Sequence, residues 1–83
     1  MKINLLGSSR SSKTKQVKEI LEFLFPDSDI HTKSSFSLSE LENSYVLELD
    51  RLPENKMDIA RYILNTFEIG VSEKVLEKLE KND

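Results

Sequence analysis

Eighty-three residues without a cysteine, and with one histidine, exclude disulfides, thiolate metal sites, thiol catalysis and any multi-histidine centre. A chain this short makes one small domain, with a net stability on the order of 4–12 kcal/mol and little volume for an elaborate catalytic cavity. The net charge of −3 hides an asymmetry: up to Lys18 there are five bases and no acid, and from Glu19 onward seven bases face fifteen acids.

No apolar run is long enough to span a bilayer, and no stretch reads as a signal peptide. The expectation is a soluble, cytoplasmic protein with no membrane partner, one domain over residues 1–83, and no metal or cofactor.

Lys2-Ile3-Asn4-Leu5-Leu6 is a short β-favouring run. Gly7-Ser8-Ser9-Arg10-Ser11-Ser12 is a turn of small residues. Lys13 to Phe25 then carries an apolar stripe at Val17, Ile20, Leu21 and Leu24, the spacing of an amphipathic helix. Strand, Ser-rich turn and helix in that order are how many α/β folds set a helix N-terminus over an anion. Pro26 ends the helix, because it lacks an amide hydrogen and pushes its predecessor out of the α region.

Ile30 to Ser34 predicts a polar edge strand, with Ile30 and Thr32 on one face and His31 and Lys33 on the other. His31 reads as a surface strand residue. An edge of this kind also admits a homodimer. Ser37 and Glu40 have the spacing of a capping box, and Phe36 and Leu41 that of a hydrophobic staple, so a short helix is expected over about Leu38 to Asn43.

Tyr45 to Asp50 is the best strand candidate and, by its apolar front half, reads as central. Asn55 suits the cap of a helix striped by Ala60, Ile63, Leu64 and Phe67, with Met57 and Ile59 alongside. Gly70 suits the residue just past its end, and Ser72 the cap of a last helix holding Val75, Leu76 and Leu79. Thr66 to Val71 also alternates like a strand, and two helices meeting at Gly70 are preferred.

The order β-α-β-(short α)-β-α-α predicts an α/β fold: a small, mostly parallel three-stranded sheet with its first and third strands central. The alternative is a ferredoxin-like split β-α-β arrangement with an antiparallel pair.

Gly7-Ser8-Ser9-Arg10-Ser11-Ser12-Lys13-Thr14 resembles the Walker A motif of P-loop nucleoside triphosphatases, G-x-x-x-x-G-K-[ST], and Val46 to Asp50 resembles a Walker B strand. The resemblance implies Lys13 on the phosphates, Thr14 and Asp50 on magnesium, and amides from Ser9 to Lys13 around the oxygens. Ser12 departs from it, standing where the motif has glycine. The opening strand, loop and Ser11-x-x-Thr14 followed by a helix also resemble the start of glutaredoxin- and thioredoxin-like domains. There the family has C-x-x-C, so the likeness implies topology without dithiol chemistry.

Two functional expectations follow. The first is a non-enzymatic interaction module, a regulator or inhibitor that binds another protein. Its candidate surface is the acidic set Glu40, Glu42, Glu48, Asp50, Glu54 and Asp58. Its size and Lys/Asn/Ser/Glu-rich usage resemble small phage and mobile-element proteins that disarm host machinery. The second is a phosphate- or nucleotide-binding domain using Ser8, Ser9, Arg10, Ser11, Ser12, Lys13, Thr14 and Lys15. A cation in the first helical turn opposes the helix dipole by ~0.3–1 kcal/mol, a penalty that a bound anion removes. Nucleic-acid binding ranks last, because no aromatic side chain is interleaved with the early bases.

Overall fold

A computed structural model describes residues 1–8, 10–67 and 73–81, the side chains of 73–75 excepted. The chain runs β1 (Lys2–Leu6), α1 (Ser12–Leu24), β2 (Asp29–Lys33), α2 (Leu38–Leu41), β3 (Tyr45–Glu48), a 3-10 turn (Leu49–Arg51), α3 (Lys56–Thr66) and α4 (Glu73–Lys81). Gly70, Ser72 and the part of the strand alternative beyond Phe67 lie outside the described residues.

The three strands form one parallel sheet in the order β2-β1-β3. The antiparallel, ferredoxin-like alternative is thereby excluded. From β1 the chain crosses to β2 on one side, then passes back over β1 to reach β3 on the other. Crossovers in opposite directions keep the same right hand only by using opposite faces of the sheet. α1 accordingly covers one face, packed with α3 and α4. α2 covers the other, where the Asn4 amide reaches it.

Alternation along β1 sorts these faces. Ile3 and Leu5 are fully buried beneath α1, against Val17, Ile20, Leu21, Leu47, Ile59, Ile63 and Leu76. Burying each such aliphatic side chain contributes ~1.5–3 kcal/mol. Asn4 points the opposite way, is equally buried, and donates to the Glu40 carbonyl at 2.9 Å and to Ser44 Oγ at 3.0 Å.

Local chemistry sets the helix ends. Ser11 caps α1, its hydroxyl oxygen accepting from the Thr14 amide. Ser37 and Glu40 close the expected capping box, and Asn55 Oδ1 accepts from the amides of Met57 and Asp58. α2 stops at Leu41, two residues short of expectation. Asn43 adopts φ 55°, a left-handed conformation that asparagine tolerates and a helix cannot continue.

β3 corrects the expectation of a central third strand: it is an edge. Leu47 is buried, but Tyr45 and Val46 are exposed. The apolar character of Tyr45 is spent on Phe67, on which its ring stacks at 4.3 Å. The strand ends at Glu48, and Leu49 and Asp50 belong to the 3-10 turn instead.

Candidate functional site

The carboxyl ends of β1 and β2 lie side by side and open onto a shared crevice. β1's pairing extends past its last residue, since the Gly7 amide donates to the Lys33 carbonyl at 2.9 Å. Gly7 has φ +152°, and a Cβ there would lie 2.8 Å from Leu49 Cδ1 and 3.0 Å from Leu49 Cβ. Close approach of the 3-10 turn thus requires glycine at the start of the loop.

Side chains of the loop's own residues hold it in shape. The Thr14 hydroxyl lies against the Ser8 carbonyl, as donor, and is 2.7 Å from Ser11 Oγ. The Thr14 amide donates to Ser11 Oγ at 3.1 Å, and the Arg10 amide to Ser8 Oγ at 3.3 Å. Thr14 is 1% exposed. One of the expected anion-binding amides, that of Arg10, is therefore taken up within the loop by Ser8, and the neighbouring Thr14 amide by Ser11. Those of Ser12 and Lys13, at the first two positions of α1, fall outside the intrahelical ladder. No acid sits in the first turn of α1.

Two open concavities flank the loop. One, of about 420 Å³, is lined by Gly7, Ser8, Arg10, Lys33 and Ser34. The other, of about 470 Å³, is lined by Arg10, Ser11, Ser12, Thr14, Lys15 and Lys18. Arg10 belongs to both, and among the described residues neither is lined by a carboxylate. Ser9 lies outside the described residues.

The Walker-like roles do not assemble. Lys13 turns away from the loop and donates to the Leu52 carbonyl at 2.6 Å and to Glu54 at 3.4 Å. The Thr14 hydroxyl is buried against Ser8 and Ser11, and Asp50 is exposed on the 3-10 turn. No group of three or more metal-ligating side chains gathers among the described residues. No described helix is long and apolar enough to cross a membrane.

The acidic candidates are dispersed, and three have cations of their own. Glu40 contacts Lys33, Glu48 accepts from Arg51 at 2.8 Å, and Glu54 meets Lys13. Asp58 occupies the first turn of α3, where a negative charge complements the helix dipole. Glu42 and Asp50 are exposed. Lys33, with Ser37 behind it, lowers the Glu40 carboxyl from 4.5 to about 2.

Sequence reasoning missed Lys33 and Ser34 at the crevice. Their signal is topological, since parallel pairing of β1 and β2 brings the two strand ends together. No protein-family model, curated protein or solved structure matches this chain.

Proposed function

We propose that this chain binds a phosphate-bearing small molecule at the carboxyl end of its sheet, without turning it over. The observation that carries the reading is the placement of Arg10. It stands between two concavities with Lys15 and Lys18 on one side and Lys33, itself in contact with Glu40, on the other, and among the described residues no carboxylate lines either. In open parallel sheets, ligands sit beyond the carboxyl ends of the strands, where successive crossovers diverge. Here that point is the end of β1. The Ser12 and Lys13 amides at the head of α1 add donors and a favourable dipole. Binding without hydrolysis is supported by the scatter of Lys13, Thr14 and Asp50, which leaves no lysine–hydroxyl–carboxylate set on one phosphate.

Thermal unfolding with inorganic phosphate, a nucleoside monophosphate or a nucleoside triphosphate with magnesium tests this, each against sodium chloride at matched ionic strength. Ligand at a hundredfold its Kd adds ~2.7 kcal/mol of stability, a rise in Tm of well over five degrees in a domain of this length. Arg10→Ala abolishes that rise and leaves the ligand-free Tm in place. A chain indifferent to all three ligands contradicts the proposal.

One observation favours a second reading, contact with another protein in a regulatory or inhibitory role. Leu38 is 84% exposed on α2, the helix whose Leu41 lines, with Leu6, Ser34, Ser35, Phe36 and Val46, a concavity of about 290 Å³. Leu38→Ser, which removes that apolar surface without touching the core, tests it: loss of a stoichiometric co-purifying protein supports the reading, and unchanged recovery opposes it.

A further inference from the structure

β2 has one bonded side and one bare side. On the bonded side the Asp29 amide donates to the Met1 carbonyl at 2.8 Å, and the Lys33 carbonyl accepts from Gly7 at 2.9 Å. The period of two along a strand then turns the main-chain groups of Asp29, His31 and Lys33 toward β1. It turns those of Ile30 and Thr32 outward, onto an edge that no other strand covers among the described residues.

The side chains along that edge are self-complementary. Asp29, His31 and Lys33 share the face opposite α1, with side chains 72%, 48% and 53% exposed. The carboxylate and the ammonium stand at equal distances on either side of His31. We infer that β2 pairs antiparallel with β2 of a second copy of this chain, about a two-fold axis through His31.

Main-chain alternation and side-chain charge agree on that register. The outward groups of Ile30 meet those of the partner's Thr32, and each such pair exchanges both of its hydrogen bonds. Asp29 lies opposite the partner's Lys33, and symmetry repeats the contact at the other end. His31 faces the partner's His31 as a non-hydrogen-bonded pair, consistent with its own amide and carbonyl being committed to β1. Moving the axis to Thr32 sets Lys33 against the partner's His31 and leaves Asp29 unmatched. Moving it to Ile30 sets Lys33 opposite the partner's Asp27, a turn residue outside β2, and overlaps only residues 29–31 of the two strands. In the monomer Asp29 bonds His31 at 3.0 Å and Lys33 contacts Glu40, so both charges have exposed, exchangeable partners to trade. The product is one continuous six-stranded sheet. The edge shares Lys33 with the proposed phosphate crevice, so the Asp29 and His31 variants, which leave that crevice intact, separate the two readings.

A five-residue edge buries little area and gives weak association, so the test uses both mass and geometry. Sedimentation equilibrium from micromolar to millimolar concentration shows a monomer–dimer equilibrium. Asp29→Lys alone and Lys33→Asp alone each weaken it by roughly tenfold, about 1.4 kcal/mol. An equimolar mixture of the two variants, whose edges then carry opposite charge at both positions, restores association.

Register is read by crosslinking, because the chain has no cysteine of its own. Opposed residues in a non-hydrogen-bonded antiparallel pair have Cα atoms ~4.5 Å apart, within disulfide range. Mild oxidation links His31→Cys to itself, and does not link Thr32→Cys to itself. Asp29→Cys and Lys33→Cys crosslink to each other when mixed. A chain that stays monomeric to millimolar concentration, a dimer indifferent to both charge variants, or equal crosslinking of His31→Cys and Thr32→Cys overturns the inference.

Discussion

Lys13 donates from its ammonium to the main-chain carbonyl of Leu52 at 2.6 Å, tying the first turn of α1 to the loop that precedes α3. The side chain is 21% exposed, whereas its second contact, Glu54, is 91% exposed. The hydrogen bond to the carbonyl therefore matters and the ion pair contributes little. A lysine at this place in a phosphate-binding loop points at the ligand; here it fastens the scaffold.

Lys13→Met keeps most of the stem and removes the donor, leaving the carbonyl of the buried Leu52 without it. A hydrogen bond from a charged group contributes ~1.5–3 kcal/mol, so Tm falls by several degrees. Phosphate affinity, measured by calorimetry, changes by less than about twofold, a threshold well under the tenfold that 1.4 kcal/mol represents. A large loss of affinity with Tm unchanged would place Lys13 on the ligand instead.

Gly7→Ala destabilises the chain by ~1–3 kcal/mol, through the backbone strain of its positive φ and the clash with Leu49. Leu49→Ala in the same chain removes the Cδ1 contact at 2.8 Å but keeps the Cβ contact at 3.0 Å. The double variant therefore gains nothing over Gly7→Ala in urea unfolding, and restoration to the native midpoint would show that the Leu49 methyl group alone sets the cost.

Asn4 is the buried polar link between the sheet and α2. Asn4→Leu removes the amide that satisfies the Glu40 carbonyl and Ser44 Oγ. The Ser44 hydroxyl still donates to the Leu41 carbonyl, so the Glu40 carbonyl is the group that loses its partner, at a cost of ~1–3 kcal/mol. Amide hydrogen exchange in α2 speeds up more than in α1, because α2 has no buried side chain of its own. Uniform acceleration in both helices would contradict this anchoring role.

Acid unfolding has a contribution from Glu40. Its folded carboxyl titrates at about 2, below the ordinary 4.5, because Lys33 and Ser37 bond the charged form. A depressed carboxyl contributes stability that is whole above pH 4.5 and is lost as pH falls toward 2. Glu40→Gln flattens that part of the curve of stability against pH and leaves the neutral region parallel to native. An unchanged acid limb would contradict the assignment.

The elements readable from sequence are those set by neighbours in the chain. The Ser37–Glu40 box, the Asn55 cap and the stripes of α1 and α3 each need only a few consecutive residues. Strand order is a different problem. Tyr45-Val46-Leu47 has a central strand's composition, yet it lies at an edge, and Tyr45 stacks on Phe67, 22 positions away, rather than under a neighbouring strand's cover. The candidate site divides the same way. Local spacing marks Gly7 to Lys15 as a loop entering a helix. It gives no direction for Lys13, whose partner is Leu52, and it omits Lys33, which arrives only through the pairing of β1 with β2.

Phosphate recognition at the crevice is tested most directly by amide chemical shifts of the labelled protein as inorganic phosphate is added at constant ionic strength. The account predicts saturable shifts at Gly7, Ser8, Arg10, Ser12, Lys13 and Ser34, none at Ile59 or Ile63, and their loss in Arg10→Ala. Shifts that grow linearly without saturating, or that cluster away from the ends of β1 and β2, would contradict it.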